Sequence, residues 1–334
     1  MATLIGSIFV FLLVIMLHEL GHFTVAKAVG IKVNEFSIGM GPKILQREGK
    51  ETKYSIRIFP IGGYVAMEGE NEDSFDPRSF NNVSVYKRMA VVVAGAVMNF
   101  LLAIVAFFFV FIGMGNGTNI IDEVIVDLPA YQGGIHTGDK IIEINGMPTK
   151  DWSEIIDLIS NNENGAPLHI KYERNEKIYE QEINPVKSED GRFIIGITSK
   201  TEKNPIHAFS LAISQTKSVV KSIFHVFHLI KTGGFESNML SGPVGVISII
   251  GQETSKGFIN LLFILGLISA NLGVINLLPI PALDGGKLLF LLIEAMIGKP
   301  IPAEWEAKLS MLGFAFLLTL MLYVTLFNDL NIFR

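Results

Sequence analysis

Four apolar runs decide what this chain can become. They extend from about Leu4 to Val29, Met89 to Met114, Phe258 to Leu278 and Leu309 to Phe327. Each comes close to or exceeds the about 20 residues that a helix needs to cross a hydrocarbon core about 30 Å thick. Inside lipid every backbone N–H and C=O must be satisfied within the protein, which leaves helices and closed barrels as spanning forms. Runs of this length without alternation predict helices. Only 18% of the 334 residues are charged, below the about 25% of ordinary soluble chains. The net charge of −5 carries no basic footprint, so nucleic acid is not expected as a partner. There is no cysteine, so disulfides and thiolate ligands are excluded, and any transition metal would rest on histidine and carboxylate. The amino-terminal MATLIGSIFV lacks the basic start and small-residue cleavage site of a secretory signal and reads as a retained span.

Between the first two runs, residues 32–88 hold nine lysines and arginines. Within them KYSIRIFPIGGYVAMEG alternates apolar and polar residues before a Gly-Gly break, which predicts a β-hairpin rather than a helix. A basic loop favours the cytoplasm. The amino terminus is then outside, the second span runs outward, residues 115–204 lie outside, and the last two spans run inward and outward. Residues 118–202 carry turn signals at Gly133-Gly134, Asn145-Gly146 and Asp190-Gly191. The β-rich runs EVIVDL, KIIEIN, LHIKYER and FIIGI flank the helical SEIIDLISNN, predicting a small α+β or partly open barrel domain. From 206 to 231, Phe209, Ile213, Thr216, Val220, Ile223, Phe227 and Ile230 recur at helical spacing. Lys217 and Lys221 fall mostly elsewhere, so we expect an amphipathic helix on the outer membrane surface. The expected divisions are 1–115 (with the hairpin at 32–70), 116–204, 205–240 and 241–334.

The first run contains His18-Glu19-Leu20-Gly21-His22. Histidines at i and i+4 point to one side of a helix and can share a Zn²⁺ ion. Glu19 would flank the ion rather than ligate it. A charged group at the bilayer centre costs about 2.5–3.5 kcal/mol or more, so three polar groups within five residues demand a reason. The bland alternative is a pair of buried structural histidines. A third ligand is offered by Asp284, at the same end of its span as the histidines are of theirs. Pro279, Pro281, Gly285 and Gly286 break the helix around it, and irregular backbone at that depth must line a cavity or be packed by protein. Its bland reading is a helix cap at a membrane exit. His225 and His228, at i and i+3, could also share a metal but read as interfacial fringe.

The motif at 18–22, NLGVINLLPIPALDG at 271–285 and LSGPVGV at 240–246 together resemble the site-2 protease family of intramembrane zinc metalloproteases. Within it they resemble the bacterial regulator-of-sigma-E protease group. The resemblance implies a multi-pass α-helical membrane protein with four transmembrane helices, a membrane-associated β-hairpin region and an inserted PDZ-like domain, one copy rather than two. It implies His18, His22 and Asp284 as zinc ligands, Glu19 as catalytic base, and Asn271 and Asn276 as groups that hold the substrate strand. GAVMNF at 95–100 resembles the small-residue motif of the family's second span, with close packing resting on Gly95. DLPAYQGGIHTGDKIIEINGMPT resembles a PDZ carboxylate loop, with Gly133 and Gly134 as backbone donors for a peptide carboxylate.

The implied function is hydrolysis of a peptide bond within or near the transmembrane segment of single-span membrane proteins, such as an anti-sigma factor or a signal-peptide remnant. It implies a bacterial cytoplasmic membrane, with the active site toward the cytoplasm and the PDZ-like domain outside. A strand edge within Tyr54–Val65 is the expected receiver of an unwound substrate. Two other readings compete. A non-catalytic PDZ-bearing adaptor with a structural metal has no use for Glu19. A zinc or proton transporter needs polar groups continuing to the outer face, and the second and fourth runs offer almost none.

Overall fold

The computed structural model describes residues 2–70, 74–162, 165–188, 190–234 and 240–330, the side chains of Ile61 and Phe227 excepted. The chain divides into two compact units, Met1–Val110 with Leu211–Arg334, and Phe111–Ser210. Among the described residues, four helices are long and apolar enough to cross a membrane: Ala2–Ala28, Val85–Met114, Phe258–Leu277 and Ala303–Asp329.

The first unit opens with α1 (Ala2–Ala28), β1 (Val33–Glu48), β2 (Lys53–Met67) and α2 (Val85–Met114). Helix α1 buries Gly6, Ser7, Val10, Val14, His18, Gly21 and Ala26, while Leu4, Ile5 and Phe9 stay exposed. Lipid tails are as apolar as leucine, so helices in a bilayer associate through small residues that let backbones approach. Gly21 is such a point, because a Cβ there would strike the Ala94 carbonyl of α2.

The hairpin doubles back on itself. Residues 35–38 of β1 have partners on both flanks, 53–56 and 63–66 of β2, while 43–48 pair with 57–53. Gly39, Gly41 and Gly62 take φ of 83°, 85° and 91° and bend the two strands where a residue with a Cβ would be strained. Arg57 Nη2 donates to Glu35 Oε1 at 2.9 Å, which ties the bent strands together. Burial alone would raise the Glu35 carboxyl, but the Ser55 hydroxyl and the Arg57 guanidinium hold it down at about 2. The expected receiving edge, Tyr54–Val65, therefore needs correction. Tyr54–Ile56 is paired on both sides, whereas Gly63–Val65 has partners on one flank. Alternation reports which face a side chain takes, not which strands lie beside it.

The inserted unit comprises β3 (Asn116–Val124), α3 (Pro129–Gln132), β4 (Lys140–Ile144), β5 (Met147–Pro148) and α4 (Trp152–Ser160), followed by β6 (Leu168–Arg174), β7 (Lys177–Ile183), β8 (Val186–Lys187), β9 (Phe193–Ile194) and β10 (Ile197–Glu202). Its main sheet has the order β10-β3-β4-β6-β7, with β5 on β4. Ile121, Ile141, Ile144, Ile155, Leu168 and Ile170 fill the core. Asp151 caps α4 by accepting from the Glu154 N–H at 3.1 Å. The strand expected at EVIVDL lies earlier. β3 ends at Val124, and Asp127, at φ 69°, turns the chain toward α3. The polar segment Asn116–Asn119 becomes strand through its ladder with β10, not through propensity.

The chain continues with α5 (Pro205–Thr232), α6 (Pro243–Lys256), α7 (Phe258–Leu277), α8 (Asp284–Ile297) and α9 (Ala303–Val324), which runs on into a π-helical turn at Thr325–Asp329. On α5 the buried stripe is Ala208, Ala212, Thr216 and Val219, and Phe209, Phe224 and Ile230 are exposed. Of the apolar stripe expected from sequence, Thr216 is buried, Ile213, Val220 and Ile223 are half-buried, and Phe209 and Ile230 are exposed. Its member Phe227 lies outside the described side chains.

The LSGPVGV motif starts α6. The Gly242 N–H donates to Asp329 Oδ1 at 2.9 Å, and a Cβ at Gly242 or Gly245 would meet that carboxylate. Asp329 thus serves as a helix cap supplied from the far end of α9. Gly313 of α9 lies against the Pro281 carbonyl, where a Cβ would not fit, so α9 also touches the turn that precedes α8.

Candidate metal centre

The site is built from α1, α2, α7 and the start of α8. His18 and His22 lie one turn apart on α1, and Asp284 is the first residue of α8. Just before it, Ala282 holds φ of 82°, a strained conformation for a residue with a Cβ. Asp284 Oδ2 lies 3.1 Å from His18 Nε2 and 3.4 Å from His22 Nε2. The two Nε2 atoms are 3.1 Å apart. Among the described residues this is the one trio of such side chains with ligand atoms all within 4.8 Å of one another.

Neighbours set the imidazole tautomers. The His22 Nδ1–H donates to the Val91 carbonyl at 2.8 Å, which leaves a lone pair on Nε2. His18 Nδ1 faces the amide of Asn99 at 3.2 Å. Asn99 is fully buried, and its Oδ1 has no partner. Amide nitrogen and oxygen are nearly equivalent in shape. With the amide turned over, Oδ1 accepts from the His18 Nδ1–H, and Nε2 of His18 also faces the cluster as a lone pair. Ser269 Oγ fixes this stretch of α2 by donating to the Asn99 carbonyl at 2.8 Å. Gly95 forms the floor, since a Cβ there would stand 2.5 Å from His22 Nε2 and 2.6 Å from His18 Cε1.

Two imidazole lone pairs and a carboxylate oxygen facing one another repel unless a cation or protons lie among them. Asp284 Oδ2 is buried without a hydrogen-bond partner. Two histidine nitrogens and one carboxylate oxygen match a catalytic zinc set, which keeps a further position for water. These three residues could therefore hold zinc.

Glu19 stands outside the trio. Its Cγ is 3.4 Å from where a Cβ on Gly63 would sit, so it lies beside the open strand edge of β2. Asn276 Nδ2 approaches His18 Nε2 at 3.5 Å, whereas Asn271 makes no hydrogen bond to the cluster. Gly133 and Gly134 are not carboxylate donors. Their N–H groups donate to Pro129 O at 2.9 Å and Tyr131 O at 3.2 Å, closing the end of α3, and Gly134 needs its φ of 73° to do so. The His225 and His228 rings lie 6.1 Å apart and belong to no such trio among the described residues. Asn99 was missed by sequence reasoning, although it stands in the GAVMNF stretch beside Gly95. Its signal was a buried amide on the small-residue face of a span.

Residues 6–320 match peptidase family M50. A protein of Clostridium acetobutylicum that bears a zinc metalloprotease name is 38% identical over 328 residues, covering 97% of this chain and 96% of its own. The regulator of sigma-W protease RasP of Bacillus subtilis is 32% identical over 420 aligned positions, 98% of each chain. Among solved structures, the PDZ domain of an SdrC-like protein of Listeria innocua is 33% identical, covering 26% of this chain and 97% of that one, with a TM-score of 0.24. The chain belongs to peptidase family M50, the site-2 proteases, and is a multi-pass membrane metalloprotease.

Proposed function

We propose that the protein cuts a peptide bond within or near the membrane-spanning segment of single-span proteins in a bacterial cytoplasmic membrane, with His18, His22 and Asp284 holding zinc and Glu19 as the base. The observation that carries this reading is the convergence of two α1 imidazoles and the α8 carboxylate within 4.8 Å, with Glu19 left outside the ligand trio. A structural metal has no need of such a neighbour.

Zinc held there would supply Lewis-acid polarisation of the scissile carbonyl and a water whose pKa falls to about 7. The Glu19 carboxylate takes the proton of the attacking water and returns it to the departing amide nitrogen. The Asn276 amide donates toward the carbonyl oxygen as charge builds on it. A spanning helix hides its carbonyls in its own hydrogen bonds, so the substrate must unwind. The open flank at Gly63–Val65, beside Glu19, is suited to receive it as an added strand, with Asn271 binding freed backbone groups. The basic hairpin faces the cytoplasm and sets the active site on that side, and the PDZ-like unit lies outside. There β10 ends its sheet and would accept a peptide end along its free edge. The unit also excludes substrates with bulky outer domains, so that cleavage follows an earlier trimming cut. An anti-sigma factor or a signal-peptide remnant fits these demands.

Glu19→Gln tests the reading. The variant should keep zinc and still bind a single-span peptide, while cleavage falls by about 10²–10⁴-fold. Undiminished cleavage, or cleavage by native protein that a chelator does not stop, would sink it.

A further inference from the structure

A cavity of about 680 Å³ lies among the turn before α2, one face of α8 and the start of α9. Its charged lining is Glu70, Arg88, Lys287, Glu294 and Glu306. Most of that charge is paired. Arg88 reaches Glu294 through both Nη atoms, Nη1 at 3.1 Å, and both side chains are largely buried. Lys287 Nζ stands 2.7 Å from Glu70 Oε1 and 4.4 Å from the centroid of the Phe80 ring. Glu306 differs: it is half-buried and, alone of these five, makes no ion pair with another described residue. A half-buried carboxylate without a partner favours a cation.

Helix α8 links this cavity to the metal centre. Asp284, Lys287, Leu291 and Glu294 recur at helical spacing on one face. Asp284 stands in the metal trio, and the other three line the cavity. Gly313 marks where α9 meets the turn before Asp284. Glu306 lies seven residues earlier on α9, about 10 Å along the axis at about 1.5 Å per residue. An extended peptide covers that distance in about three residues.

We infer that this cavity receives the cytoplasmic flank of the substrate, and that Glu306 selects a lysine or arginine about three residues from the scissile bond. The inference rests on the reading of the protein as a cytoplasm-facing intramembrane protease. Cytoplasmic flanks of membrane spans are enriched in lysine and arginine. Their aliphatic stems would lie along Phe290, Leu291 and Ile301, with the charged head at Glu306. A substrate carboxylate would meet no free cation, because Arg88 and Lys287 already hold partners.

Binding and cleavage are tested separately. Single-span peptides carry one Lys, Gln or Glu walked through the inner flank. They are titrated onto the Glu19→Gln protein in micelles and, in parallel, digested by protein with native Glu19. At the best position the Lys peptide should exceed the Glu peptide about fivefold in affinity and in kcat/KM. Glu306→Gln should level the series, and Glu306→Lys should invert it, with thermal unfolding unchanged in the Gln variant. If neither variant alters the preference in either assay, the subsite is overturned. If affinity follows residue 306 yet no peptide is cut, the subsite stands and the protease reading falls. Cleavage without a charge preference removes the subsite and keeps the protease.

Discussion

In the inserted unit, the residues shut away are large and branched: Ile121, Ile141, Ile144, Ile155, Leu168 and Ile170. In the helical unit, α1 shuts away Gly6, Ser7, His18, Gly21 and Ala26 beside Val10 and Val14, and leaves Leu4 and Ile5 outside. Helix α2 buries Ala94, Gly95, Ala96, Asn99 and Ala103 in the same way, together with Val91, Val92, Leu102, Phe107 and Val110. Water drives apolar mass inward. Lipid gives apolar mass no such drive, so beside its branched residues this unit also shuts away residues that let backbones touch or have polar work to do. A buried isoleucine in one unit and a buried glycine in the other thus carry the same information about packing.

Substitutions can break or sharpen that contrast. The largest effect should follow Gly95→Val, whose side chain would occupy the space of both imidazoles. Zinc in the purified protein should fall from about one per chain to near none, with helical circular dichroism unchanged. Retained zinc would show that the two spans move apart freely. Next comes Ile141→Ala in the full chain, which should destabilise the inserted unit by about 2–5 kcal/mol, read from faster hydrogen exchange of the β4 and β6 amides. Asn99→Ala should weaken zinc about 10–100-fold against a competing chelator, and Asn99→Asp, which keeps the acceptor, should recover most of it. The smallest effect belongs to Phe316→Ala on the exposed side of α9. It deletes more apolar surface than Ile141→Ala, yet it should change thermal stability in a bilayer by less than about 0.5 kcal/mol. A large loss there would mean that α9 is covered by protein rather than lipid.

The same contrast explains what the sequence made legible. His18, Glu19, His22 and Asp284 stood out because lipid makes every polar group conspicuous, and two of them shared a helical face. Asn99 was less visible because one amide in a span is a mild exception. Its meaning lies in His18, 81 positions away. Gly133-Gly134 read equally well as a donor loop or a helix end, and only the closed hydrogen bonds to Pro129 and Tyr131 decide. Within the hairpin, alternation announced strands but could not say that β1 would be flanked twice by β2. Helices α6 and α8 were not foreseen, since both are short and α6 begins on a carboxylate 87 positions downstream.

The imidazole of His22 hangs from the Val91 carbonyl, and Gly95, one turn further along α2, lies under both rings. A slip of α2 by a single residue, about 1.5 Å, would withdraw that carbonyl and bring a methyl group of Ala94 or Ala96 beneath the rings. With an ion held by the trio as proposed, its affinity and the alignment of the spans would form one linked equilibrium, and linkage runs both ways. A bilayer whose thickness tilts the pair out of register would loosen the ion, and stripping the ion would free the two spans to slide.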